Sequence, residues 1–170
     1  MKLFLIGYRC TGKTTIGKLL ADRLNIAFLD TDQMIEQQTG SSISQIVKTH
    51  GWEKFRHIEK TVLFTTQHLT NTVIATGGGM IIDPENRKFI ETNGISIWLD
   101  ADIKTILHRL EMDHHTPESR PSLTSHNLLK ETSDVLNFRK PLYEKTAQIK
   151  IDTGFYSPRE IVNIIDRRLS

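Results

Sequence analysis

Cysteine is almost missing from this chain. Of 170 residues only Cys10 carries a thiol. A disulfide framework is therefore excluded, and a reducing compartment suits the sequence. A dominant sign of charge is missing too. Against 22 Lys and Arg stand 20 Asp and Glu, a formal net charge of +2, and the basic residues are not gathered into a block. Composition gives no argument for nucleic acid as a partner. Long apolar runs are absent. The N-terminal run Leu3-Phe4-Leu5-Ile6 is too short for a secretory signal, and Arg9 and Lys13 interrupt its extension. No stretch approaches the roughly 20 apolar residues of a membrane span. Nor is there an internal repeat, a low-complexity tract or a linker. The expectation is a single cytoplasmic domain over residues 1–170, a monomer with neither nucleic acid nor membrane as partner. With 38% hydrophobic and 25% charged residues the chain reads as globular, and a domain of this size buries about 70% of its unfolded surface.

What is present begins at Gly7. Residues 7–15 read GYRCTGKTT, the phosphate-binding pattern G-x-x-x-x-G-K-[ST], directly after an apolar run and before a helical pattern. A turn of this kind aims several backbone N–H groups at one point, and the helix N-terminus adds partial positive charge there. Lys13 can bridge the β- and γ-phosphates, and the Thr14 hydroxyl can hold Mg²⁺. Cys10, Thr11, Gly12, Lys13, Thr14 and Thr15 are the candidate nucleotide-binding residues, and the nucleotide is a triphosphate.

Short apolar runs rich in β-branched and aromatic residues recur at Leu3–Ile6, Ala27–Leu29, Thr72–Ala75, Ile95–Leu99 and Ile149–Ile151. Helical patterns lie between them at Lys13–Leu24, Glu53–Leu69, Pro84–Thr92, Asp102–Arg109, Leu128–Tyr143 and Pro158–Leu169. This alternation predicts a three-layer α/β/α fold, with a five-stranded parallel sheet and helices on both faces. Ligands on such sheets sit beyond the carboxyl ends of the strands. The phosphate loop, Asp30-Thr31-Asp32 and Gly77-Gly78-Gly79 each follow a strand, so all three are expected on one rim. Glu111 to His126, rich in His, Ser, Thr and Pro, reads as a mobile loop between helices.

Of the two carboxylates, one can hold Mg²⁺ through water and the other can orient or deprotonate an acceptor hydroxyl. A competing role for Asp32 is to cap the helix that follows, and for Asp30 a turn. Thr14 and Asp30 are the candidate metal-holding residues. Three successive glycines let a ligand lie on the backbone. Arg56, Arg109, Arg120 and Arg139 would by default be solvated. His108, His114, His115 and His126 lack the spacing and partners of a zinc site and read as loop residues. Trp52 and Trp98 lie in patterned apolar segments and read as packing residues.

Taken together, GYRCTGKTT, FLDTD (28–32), GWEKFRHIE (51–59), IATGGG (74–79), IWLDA (97–101), SRPSL (119–123), FRKPLY (138–143) and IDT (151–153) resemble the shikimate kinase family along the whole chain. Other small kinases share the phosphate loop but not DTD, FR-x-x-E, TGGG and R-x-PLY in this order. The resemblance implies ATP-dependent phosphorylation of the 3-hydroxyl of shikimate, on the route to chorismate and the aromatic amino acids. It implies that Lys13 and Thr14 serve the nucleotide and its Mg²⁺. Asp32 would hold shikimate hydroxyls and act as base, and Arg56 and Arg139 would grip the carboxylate. Gly77, Gly78 and Gly79 would meet the ring. Arg120, in a lid at about 111–124, would close over the phosphates, and Arg109 and Tyr156 would border the adenine. The acceptor-binding helical segment would span about 32–69. The family usually has Gly where this chain has Cys10.

Overall fold

β1 (Lys2–Ile6) is buried at every position, as a strand covered on both faces must be. The computed structural model describes residues 1–112 and 128–169. In it β1 is the middle of five parallel strands. The others are β2 (Ala27–Asp30), β3 (Thr72–Ala75), β4 (Ile95–Asp100) and β5 (Ile149–Asp152), in the order β2-β3-β1-β4-β5. Leu3 lies opposite Val73 on one side and Ile95 on the other. Each strand falls within a residue of its sequence expectation.

Side chains alternate across the sheet and so build two cores. Leu3, Leu5, Val73, Ile97, Leu99 and Ile151 face α1 (Lys13–Leu24) and α7 (Pro158–Leu169) through Ile16, Leu20, Ile161 and Ile165. Phe4, Ile6, Ile74 and Trp98 face the opposite layer. That layer contributes Leu63 from α3 (Ile43–Thr65), Phe89 and Ile90 from α4 (Pro84–Asn93), and Tyr143 from α6 (Leu128–Thr146). The chain goes to opposite sides of β1 for β3 and β4. The crevice at that switch point, beyond the carboxyl ends of β1 and β3, is where a ligand fits.

The helices differ from expectation in one region. A short α2 (Thr31–Thr39) follows β2, and α3 begins ten residues before the expected Glu53. Ser42 and Gln45 form a reciprocal capping box at its start. Gly51, at φ 79 and ψ 170, is non-helical, so α3 is two helical segments meeting at a kink, and the second begins beside the expected Glu53. The far end is earlier than expected. Lys2 Nζ donates to the carbonyls of Thr66 and Gln67 at 2.7 and 2.9 Å, closing a single 3₁₀ turn that leaves Leu69 outside the helix. α5 (Ile103–Met112) takes in the first two residues of the expected lid. The rest of that lid, with Arg120, SRPSL, His114, His115 and His126, lies outside the described residues. No helix among the described residues is long and apolar enough to cross a membrane.

Candidate active site

β1 runs straight into the phosphate loop, whose shape depends on two glycines. At Gly7 (φ 146) a Cβ would collide with the Leu99 carbonyl. Gly12 (φ 91) is the left-handed N-cap of α1. Cys10 also lies in the left-handed region, at φ 59, which explains why glycine is usual there in the family it resembles. The Thr11 hydroxyl donates to Tyr8 O at 2.8 Å and closes the loop. The Lys13 ammonium is buried inside it and donates to Gly7 O at 2.8 Å and Tyr8 O at 2.7 Å. No acidic residue of its own occupies the first turn of α1 and no side chain caps it, so the positive end of the helix faces the loop mouth. Thr15 is exposed one residue further on. Arg109, from α5, donates to Cys10 O at 3.2 Å, Thr153 Oγ1 at 3.0 Å and Thr153 O at 2.7 Å. It thereby ties the phosphate loop to the segment after β5. That segment carries Tyr156, 48% exposed.

The acidic pair divides its work otherwise than the capping alternative supposed. Asp30, not Asp32, is the N-cap of α2: its Oδ1 accepts the Asp32 N–H at 3.0 Å. Its Oδ2 accepts the Thr14 hydroxyl at 2.7 Å. A hydroxyl and a carboxylate thus converge beside the phosphate loop, the hard oxygen donors that Mg²⁺ takes alongside phosphates and water. Asp32, relieved of capping, contributes to the wall of a cleft that it shares with Trp52, Arg56, Glu59 and Arg139.

That cleft is built from side chains brought together by the fold. A Cβ on Gly77 would stand 2.6 Å from Glu59 Oε1 and 2.8 Å from Asp32 Oδ1. One on Gly78 would stand 3.3 Å from Gly7 O. The glycine turn therefore packs against both the carboxylates and the phosphate loop, and a side chain there would have to displace them. The Arg56 guanidinium lies where a Gly79 side chain would be. It pairs with Glu59 at 2.5 Å and sits 5.4 Å over the Trp52 ring and 5.1 Å over Phe55. Trp52 packs against the α2–α3 core cluster as expected and is also the cleft wall that Arg56 rests on, and Trp98 packs in the core as expected. Arg139 donates to Gly78 O at 3.1 Å and lies 5.9 Å over Tyr8. It is 7% exposed, and its buried Nε has no hydrogen-bond partner among the described residues. Among the described residues no carboxylate stands within ion-pair reach of it. Glu59, whose charge interacts with that of Arg139, is already paired with Arg56, so the Arg139 guanidinium keeps donors for an anionic ligand, and its fork suits a carboxylate.

Two lining residues escaped sequence reasoning. Glu59 is 1% exposed. Burial pushes its carboxyl pKa up, and the Arg56 guanidinium only partly opposes this. Its signal was available as the i,i+3 spacing in FR-x-x-E. Arg9, from the phosphate loop, reaches into the cleft and pairs with Glu131 at 3.4 Å. Nothing in its loop position pointed there.

A family model described as Shikimate kinase matches residues 9–170. A protein named Shikimate kinase 2 from Escherichia fergusonii is 41% identical over 96% of this chain and 88% of its own length. Among solved structures, a shikimate kinase from Acinetobacter baumannii in complex with shikimate aligns with a TM-score of 0.92 at 33% identity. It covers 99% of this chain and 92% of that one. Shikimate kinase from Aquifex aeolicus aligns with a TM-score of 0.85 at 34% identity, covering 99% and 96%.

Proposed function

The chain belongs to the shikimate kinase family and is an ATP-dependent kinase, and from that premise we propose how its own residues move the γ-phosphate of ATP to the 3-hydroxyl of shikimate. The observation that carries the reading is the buried Arg139, which among the described residues has no carboxylate within ion-pair reach, facing a cleft whose glycine floor packs on the phosphate loop. An acceptor held there lies next to bound phosphates.

Cys10, Thr11, Gly12, Lys13, Thr14 and Thr15 hold the triphosphate, with Lys13 swinging from the loop carbonyls to the β- and γ-oxygens. Thr14 and Asp30 would hold Mg²⁺, which supplies charge neutralisation on the transferring group. Arg56 and Arg139 fork onto the acceptor carboxylate, Gly77, Gly78 and Gly79 lie under the ring, and Asp32 orients the attacking hydroxyl and takes its proton. Holding both reactants in line supplies most of the rate, because phosphoryl transfer asks for little covalent chemistry. Arg120, from the lid at about 111–124, covers the phosphates, and Arg109 and Tyr156 border the adenine. The working unit is one cytoplasmic domain, residues 1–170, acting as a monomer, with residues of about 32–69 serving the acceptor.

ADP release in a coupled assay tests this. Shikimate should support turnover with Mg²⁺ and ATP, while gluconate, quinate and nucleoside monophosphates should not. Faster turnover with any of those three would replace the reading.

A further inference from the structure

Two donors converge on one carbonyl at the floor of the cleft. Gly78 O accepts Arg139 Nη1 at 3.1 Å and the Tyr143 hydroxyl at 2.5 Å. Tyr143 does not line the cleft, and its side chain is fully enclosed. It is held from behind: its ring stacks on Trp98 at 5.7 Å with 21° between the planes, and Lys150 Nζ lies 4.2 Å over Trp98. Burial pushes the phenol pKa up, so the hydroxyl keeps its proton and stays a donor.

The carbonyl and the N–H of a trans peptide point in opposite directions. Fixing Gly78 C=O toward Tyr143 therefore fixes the Gly79 N–H on the other side of the turn. A run of glycines has no side chain with which to hold itself, and its backbone has wide freedom. We propose that Tyr143 is a positioning residue for the acceptor: its hydroxyl orients the Gly78–Gly79 peptide on which the shikimate ring lies, and so sets acceptor affinity. This rests on the shikimate reading above. Arg139 shares its donors between that carbonyl and, in that reading, the substrate carboxylate, whereas the Tyr143 hydroxyl serves the carbonyl alone. Tyr143 touches no ligand and stays an anchor whether or not the cleft is filled.

Tyr143→Phe keeps the ring and its stack and removes one oxygen. Gly78 O retains Arg139, so no buried carbonyl is orphaned and the fold survives. The shikimate KM should rise about three- to tenfold, the loss of one hydrogen bond, while kcat and the ATP KM stay within about twofold. Trp98→Phe keeps the hydroxyl but loosens the ring that carries it. It should move the same constant in the same direction by a smaller factor, and it decides the matter if Tyr143→Phe does not fold. An unchanged shikimate KM, or a parallel rise of both KM values, overturns the proposal. Arg139→Lys, assayed alongside, separates the failures. If it raises the shikimate KM while Tyr143→Phe does not, only the positioning role is lost; if neither does, the shikimate reading of the cleft fails as well.

Discussion

The two halves of the site are made in different ways. In the proposed reading the nucleotide half is nine consecutive residues, Gly7 to Thr15, leading into a helix start. The acceptor half in that reading takes Asp32 from α2, Arg56 and Glu59 from α3, a glycine turn after β3 and Arg139 from α6, with Tyr143 behind the turn. The first needs only local geometry, with glycine where φ is positive. The second needs the whole fold: Arg56 rests on neighbours in its own helix, but Arg139 bonds Gly78 across 61 residues, and only folding brings the two guanidiniums to one cleft. The cations reflect the same division. Lys13 lies among the carbonyls of its own loop, whereas Arg139 is buried against Tyr8 and a distant glycine.

Substitutions in the acceptor half should therefore separate acceptor from nucleotide, and the largest effect should come from Asp32. Asp32→Asn should fold and bind ATP, because Asp30 does the capping, yet lose roughly 10²–10⁴ in kcat. Near-normal turnover by the purified variant would remove Asp32 from the chemistry. Arg139→Lys keeps the charge but not the fork, and should raise the shikimate KM more than about tenfold with little change for ATP. Comparable rises in both would place Arg139 with the nucleotide or the fold.

Glu59→Gln should release Arg56 and raise the shikimate KM about three- to tenfold. It should also alter the pH dependence of stability. Because burial raises the Glu59 pKa, the folded state holds that proton more tightly than the unfolded chain does. The stability this group contributes is present below the ordinary glutamate range and is lost as pH rises through the raised value. The variant should show a flatter fall over that window in denaturant titrations, and an unchanged slope would contradict the assignment. The smallest effect belongs to the nucleotide half. Cys10→Gly relieves about 1–2 kcal/mol of left-handed strain but adds about 0.4–1 kcal/mol of unfolded-state entropy. It also gives up the packing of the thiol near Tyr8 and Leu136. Thermal unfolding should show a net gain below about 1 kcal/mol, and a clear loss would mean that the packing outweighs the strain.

The same contrast decides what could be read from sequence. The five strands were legible because apolar runs bounded by polar positions have few other solutions, and the phosphate loop because its pattern is contiguous. The first half of α3 was not, since Gly51 breaks the helical period that the structure carries through a kink. Asp30 and Asp32 could exchange roles on paper because a cap and its N2 residue are only two positions apart. Arg56 and Arg139 entered through resemblance alone. Tyr143 meets Gly78 across 65 residues, and no local pattern encodes a bond of that span.

The central claim is that the cleft grips a carboxylate through Arg56 and Arg139, and the methyl ester of shikimate tests it most directly. The ester keeps all three hydroxyls and removes the negative charge, at the cost of one added methyl group. In the coupled ADP-release assay its kcat/KM should fall at least about a hundredfold below that of shikimate, as expected when buried cations lose a charged partner. In Arg139→Lys the gap between ester and acid should narrow. An ester turned over as well as the acid would contradict the account.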